Sequence, residues 1–255
     1  MSPSTIRFFA LTRREVSRFV KIKGQTIGAP LLETFLYISV FGAALGTRVG
    51  DLDGVSYVVY VIPGLILMAW AINAFTNNAS SLLQQKFQRS IDDQLSSPAT
   101  PMQLLLAFTL GGFFRGLTIS VITFIVASLL VDLPVKHPIE LVASLLLVGF
   151  FFSSLGVVIG VRAEQFDDVS FAQTFILQPL IFLGGIFYSA TLLPEPYQTL
   201  THFNPVYYMI STVRYGFLGE ASVNIPLSLL GLLVATSALF LLNYRLFKTG
   251  YKLRT

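Results

Sequence analysis

Six long apolar stretches, joined by short loops, occupy most of this 255-residue chain and leave little of it for anything else. They run roughly over 26–46, 55–79, within 102–133, 139–161, 169–193 and 225–244. A hydrocarbon core about 30 Å thick is crossed by a helix of about 20 predominantly apolar residues. Each stretch meets that length, so the pattern predicts an all-α polytopic membrane protein with six transmembrane helices. Only 12% of the residues are charged and the mean hydropathy is +0.72, whereas a soluble domain carries about a quarter charged residues. The net charge of +4 does not point to nucleic acid, because the basic residues flank apolar spans instead of forming a patch.

Orientation follows from the cations between the spans. With both termini cytoplasmic, the inner side holds Arg7, Arg13, Arg14, Arg18, Lys21 and Lys23 of the N-terminal arm, then Lys86, Arg89, Arg162, Arg245, Lys248, Lys252 and Arg254. The outer side holds Arg48, Lys136 and Arg214, so thirteen face three, a strong positive-inside bias. The chain divides into an amphipathic interfacial helix over 1–25, a six-span permease domain over 26–246 and a cytoplasmic tail over 247–255. In the arm, Ile6, Phe9, Val16, Phe19 and Val20 recur on one side at helical spacing, which suits a helix lying in the inner interface. The basic, interrupted arm is no cleavable signal peptide.

Two charges fall inside spans. Eighteen residues separate Arg115 from the outer end of the third span, about 27 Å of helix, which sets Arg115 near the cytoplasmic boundary. The stretch from Met102 to Phe114 then becomes an interfacial or cytosolic extension. Glu33, about two turns into the first span, is a candidate ion-pair partner; the other reading is that both side chains snorkel to the headgroups.

The inner loop 84–101 is the most polar stretch. Phe87, Ile91 and Leu95 recur at i, i+4 and i+8, while Lys86, Arg89, Asp92 and Asp93 take the remaining surface. A short helix with an apolar ridge and mixed charge suits either a partner's groove or packing on its own membrane domain. The second inner loop, 162–168, repeats an aromatic beside two carboxylates, Asp167 and Asp168. No histidine is near either, which favours a turn or a contact over catalysis. On the outer side, Gly184-Gly185 is placed to break the fifth helix before Tyr188 and Pro194. The run from Pro205 to Leu218 is too short to cross and suits a helix on the outer interface or dipping into the membrane. Gly112-x-x-x-Gly116 and Gly156-x-x-x-Gly160 mark close helix contacts.

Absences narrow the function. With no cysteine there is no disulfide, thiolate nucleophile or Cys-rich zinc site. No Gly precedes a Lys, so the chain carries no phosphate-binding loop for ATP. The spans lack the chain of Asp, Glu or His expected of proton-coupled carriers.

Taken together, Lys86-Phe87-Gln88-Arg89, Phe166-Asp167-Asp168, Gly184-Gly185-Ile186-Phe187-Tyr188-Ser189 with Pro194, and Asn204-Pro205 with Tyr208 and Arg214-Tyr215-Gly216 are similar to the ABC type-2 permease family. These are the membrane subunits of bacterial ATP-binding cassette exporters, and the resemblance covers nearly the whole chain. It implies a non-catalytic permease of the bacterial inner membrane that moves a hydrophobic or amphipathic substrate outward. The driving ATP and its Mg would be bound by a separate ATPase, with no cofactor on this chain. It implies a coupling helix from Phe87 to Gln94, including Gln88, Ile91, Asp92 and Asp93, with Asp167 and Asp168 near a second contact. It also implies an outer gate formed by Gly184, Gly185, Tyr188, Pro194, Asn204, Pro205, Tyr208 and Arg214. Two ATPase copies, a second copy of this chain and membrane lipids are the implied partners. From the residues alone the alternative is a stand-alone secondary carrier or channel.

Overall fold

The computed structural model describes residues 3–21, 24, 28–49, 51–52 and 54–253, and for 41–49 the helix backbone only. The expected boundary at 25/26 and the charges of Lys23, Arg48 and Arg254 therefore lie outside the described residues or side chains. The elements are α1 (Pro3–Val20), α2 (Ala29–Val49), a two-residue hairpin of β1 (Asp51–Leu52) and β2 (Val55–Ser56), α3 (Tyr57–Phe87), α4 (Ser90–Ser96), α5 (Pro101–Leu130) and α6 (Pro138–Arg162). There follow α7 (Phe166–Phe171), a π-helical turn (Ala172–Leu177), α8 (Gln178–Leu183), a 3₁₀ turn (Ala190–Leu192), α9 (Glu195–Phe203), α10 (Pro205–Leu218) and α11 (Ile225–Thr249). Among the described residues, α3, α5, α6 and α11 are long and apolar enough to cross a membrane, and Ala29–Val40 of α2 is a shorter apolar stretch. The chain is thus an all-α polytopic membrane protein with one minimal hairpin.

Helix α3 is the axis of the bundle. Its 31 residues are lined on both sides by buried apolar groups, from Tyr60 and Val61 to Leu82 and Leu83. Pro63 sits two turns into the helix, where its missing N–H is tolerated because α3 is packed on neighbours. Both small-residue motifs face α3. A methyl on Gly116 or Gly149 would overlap the Trp70 ring, and one on Gly156 would overlap the Phe75 carbonyl. Trp70 therefore lies in a slot between α5 and α6, edge-on to Phe113 at 5.4 Å. Backbones that approach this closely gain dispersion contacts, which drive helix association where lipid is as apolar as leucine.

The structure corrects several expected boundaries. The second span continues two turns past 79 to Phe87, and the sixth continues to Thr249. The fifth, expected to reach 193, is helical only from Phe166 to Leu183. It ends at Gly184, and Gly185 turns the chain with φ +84°, a conformation that favours glycine. Helix α5 is one continuous helix, about 45 Å long at 1.5 Å per residue. That exceeds a bilayer core, and the surplus first turns are where α1 packs.

Helix α1 runs beside that part of α5 in the same direction, with Ser4 bonded to Gln103 at one end and Glu15 against Gly111 further on. Ile6, Phe9 and Val20 are exposed, whereas Glu15 and Phe19 are buried. The face of the arm that meets the protein is therefore mixed, Glu15 beside Phe19 and Leu11, while Ile6, Phe9 and Val20 of the apolar side stay exposed. Helix α10, expected either on the outer interface or dipping into the membrane, is inserted among α3, α6, α8 and α11, with Tyr207, Ile210, Val213 and Phe217 buried. Of its three tyrosines, Tyr207 is buried, Tyr208 is partly exposed and Tyr215 stacks on His137 at 4.3 Å.

Candidate coupling surface and distal gate

Both described ends of the chain meet at one end of the bundle, called proximal here. There Leu11 of α1 and Leu253 beyond α11 pack on one apolar cluster with Leu82, Ile91, Leu105, Phe108, Val161 and Phe247. Helix α3 stops at Phe87, Gln88 caps it, and Arg89 adopts φ +55° before α4 begins. This left-handed residue breaks the expected continuous helix from Phe87 to Gln94, so Phe87 and Ile91 do not share a stripe. Ile91 is fully buried and Leu95 partly so, which makes them the anchor of α4 on its own membrane domain. Phe87 points outward, 57% exposed, and stacks on Phe166, 53% exposed, with centroids 5.3 Å apart and planes 11° from parallel. Two exposed aromatic rings, one from each proximal loop, thus form a single projecting knob. Asp92 and Asp93 lie in the first turn of α4, where the helix dipole favours them, and Arg89, Asp93 and Asp167 are exposed beside the knob.

Lys86 is not the surface cation expected. It is buried, and its Nζ donates 3.0 Å to the Val161 carbonyl and 2.6 Å to the Ala163 carbonyl. These are orphan acceptors at the C-terminal end of α6, where a cation is best placed. Asp168 is likewise structural: its Oδ2 accepts from the backbone N–H of Glu164 at 2.8 Å and of Gln165 at 3.0 Å. Those two bonds hold its carboxyl below the usual range. Lys252 donates 2.7 Å to Glu164, a hydrogen bond and ion pair that lowers the Glu164 carboxyl and raises the Lys252 ammonium. The two loops and the tail are therefore pinned to one another beneath the aromatic knob.

A polar network that sequence reasoning missed joins α1 to this region. Buried Glu15 accepts from Ser81 Oγ at 2.6 Å, Gln85 Nε2 at 2.9 Å and Arg14 Nη2 at 2.9 Å. Arg14 also donates to Gln85 and Gln94, tying α4 into the network. Arg18 donates to the Asn77 carbonyl and side chain, and Asn78 continues inward to Ser153 of α6. The available signal was one carboxylate among six cations in the arm, opposite Asn77, Ser81 and Gln85 at helical spacing in α3.

The expected pair of Glu33 and Arg115 is not formed. Among the described residues the ion pairs are Arg14–Glu15, Arg18–Glu15 and Lys252–Glu164. Register explains it. The Thr34 and Thr123 hydroxyls lie 3.4 Å apart, and α2 and α5 climb together, so Glu33 stands about 10 Å further along than Arg115.

The expected gate residues do converge, at the distal end. Arg214 is buried in α10, with its guanidinium 3.8 Å from the centroid of the Tyr60 ring. It donates 2.8 Å to the Gly185 carbonyl and 3.5 Å to that of Ile186. Tyr57 and Tyr60 of α3 donate to the Phe187 and Tyr188 carbonyls at 3.1 and 3.3 Å. Non-helical backbone at membrane depth requires such internal partners. Gly64 supplies the room, since a methyl there would overlap Ile186. Pro194 is the N-cap of α9. Asn204 caps α10 before Pro205 and donates 2.6 Å to Leu180, while Tyr208 donates 2.9 Å to the His202 carbonyl. Above Arg214 lies a cavity of about 320 Å³ lined by Tyr60, Ser189, Gln198, His202, Tyr207 and Glu220. A more apolar groove of about 590 Å³ opens between α6, α10 and α11.

Comparison with known proteins supports the same family. Residues 6–218 match the family model described as ABC-2 type transporter. The chain is 39% identical over 242 residues to the inner membrane transport permease YadH of Escherichia coli (strain K12), covering 95% of this chain and 94% of that protein. It is 26% identical over 230 residues to nodulation protein J of Rhizobium meliloti (strain 1021), covering 86% and 84%. A third relative, nodulation protein J of Rhizobium leguminosarum bv. trifolii, is 27% identical over 235 residues, covering 87% and 85%. By the extent of these matches and the membrane-helix architecture beneath them, the chain belongs to the ABC-2 type transporter family.

Proposed function

We propose that this chain is the permease subunit of an ATP-driven exporter of the bacterial inner membrane, working as two copies with two copies of a separate ATPase. The proximal end is cytoplasmic, and α2 together with the α7–α8 run completes six spans with the four long apolar helices. ATP and Mg belong to the ATPase, and this chain contributes no catalytic group. The reading is carried by the stacked Phe87 and Phe166. Two exposed aromatic rings held by a buried lysine and a capping aspartate form a rigid apolar projection, a shape suited to a pocket on a partner. Motion of that partner on nucleotide binding would be passed to α3 and α6 together, because Lys86 ties their ends. Differential affinity of the nucleotide for the two conformations supplies the driving free energy. The apolar groove and polar cavity at the distal end suit an amphipathic substrate, and the name of YadH, a transport permease, supports the general role.

A double-mutant cycle tests it. Phe87→Ala and Phe166→Ala are each expected to weaken ATPase co-purification about tenfold or more, and the double variant to add little, because either ring alone lacks its stacking partner. Normal assembly and normal transport in the double variant would remove the docking assignment.

A further inference from the structure

Arg115, set aside by the failed pairing with Glu33, has a different neighbour. Helices α1 and α5 run in the same direction, with Glu15 against Gly111. One turn further along each, Arg18 and Arg115 reach the same level. The ε N–H of Arg115 is shielded and has no hydrogen-bond partner among the described residues. Arg18 spends its Nη2 on Asn77, and its ε N–H also lacks a partner, with the Glu15 carboxylate 4.0 Å away. That carboxylate is already engaged by Ser81, Gln85 and Arg14. Two guanidinium groups thus stand at one level between α1 and α5, both half-buried, with no anion of the described chain committed to Arg115.

The depth of Arg115 in the membrane identifies what meets this pair. From Arg115, α5 continues to Leu130, about 22 Å of helix, and then 131–133 completes the crossing. Arg115 therefore stands at the edge of the hydrocarbon layer, where headgroup phosphates lie. On the distal side of it α5 presents a lipid-facing row of Val121, Ile125 and Leu129, all exposed, with Phe114 beside it. The row runs down to Phe114, the residue before Arg115, so an acyl chain lying along it brings a headgroup phosphate to the level of the two guanidinium groups. Guanidinium forks fit phosphate oxygens, and basic crevices between membrane helices take anionic headgroups.

We infer that Arg18 and Arg115 form a binding site for the phosphate of an anionic lipid in the proximal leaflet. The phosphate neutralises the two like charges where α1 packs on α5. The site requires no ATPase, so it stands or falls apart from the docking surface.

The experiment is lipid binding to the purified full-length chain in mixed micelles. Retained lipid is read by native mass spectrometry and affinity by titration with phosphatidylglycerol against phosphatidylcholine. Wild-type protein is expected to prefer phosphatidylglycerol. Arg115→Gln is expected to weaken that binding about five- to tenfold, in line with about 1 kcal/mol or more per cation near an anionic surface. Arg115→Lys is expected to recover part of it, and Arg13→Gln, which removes an exposed cation of the same arm, to leave it unchanged. Equal retention of the two lipids by wild-type protein overturns the proposal even if a variant fails to fold. So does unaltered affinity in Arg115→Gln, or displacement of the lipid by millimolar inorganic phosphate, which would make the ligand a soluble anion.

Discussion

Replacing Lys86 by methionine isolates the tie between α3 and α6. Methionine keeps the length and apolar stem of the side chain but removes the ammonium that donates to Val161 and Ala163 at 3.0 and 2.6 Å. Hydrogen bonds to a charged group are each worth about 1.5–3 kcal/mol, and a cation at a helix C-terminus adds up to about 2 kcal/mol in partly buried geometry. Burying an ammonium opposes these gains, and methionine removes that cost as well. The net loss is therefore about 2–3 kcal/mol, and it falls locally on the end of α6 and the loop after it. Arg162 at that end is exposed and followed by Ala163, so trypsin reads the opening directly. Where cleavage is slow compared with reclosing, its rate follows the open population, and about 1.4 kcal/mol changes that population tenfold. Cleavage after Arg162 in Lys86→Met should accelerate about thirtyfold to a hundredfold, with Lys86→Arg largely restoring protection. An unchanged rate in the methionine variant would refute a structural tie at Lys86 and return it to the surface role suggested by sequence alone.

Arg214→Met should release the chain break at Gly185 by removing the 2.8 Å bond to its carbonyl and the stacking over Tyr60. A destabilisation of about 2–4 kcal/mol is expected, read as faster chymotryptic cleavage near Phe187 and Tyr188; unchanged protection would count against the anchor. The Lys252–Glu164 strap carries a pH signature. Glu164 is lowered from 4.5, so its contribution is full above that value and fades as pH falls through the lowered one. Lys252 is raised from 10.5, so its contribution is full below that value and fades as pH rises through the raised one. Hydrogen exchange at Leu253 should accordingly be flat, after correction for intrinsic rates, between those limits and quicken below pH 4.5; loss of protection near neutrality would contradict the strap.

The broad reading of the chain was legible because lipid imposes it on composition. Apolar stretches, sparse charge and the cation bias are local properties, and each survives without knowledge of neighbours. The same holds for Gly184-Gly185 as a helix break and for Asn204-Pro205 as a helix start, since caps and positive φ are decided within a few residues. Helical periodicity misled at Phe87 because one left-handed residue, Arg89, rotates everything after it. Nothing in the local pattern marks that residue.

What the residues alone determined was the solvent this protein lives in, the number of apolar stretches and a few local breaks and caps, such as Gly184-Gly185 and Asn204-Pro205. The three-dimensional packing decided which polar groups found one another. Lys86 met the end of α6, Glu15 met α3, and Arg214 met a broken helix, all across separations of tens of residues or more. A buried polar group takes whichever partner the fold brings within about 3 Å, because leaving it unpaired is costly. That partner is set by the register of one helix against another, which side-chain periodicity does not encode.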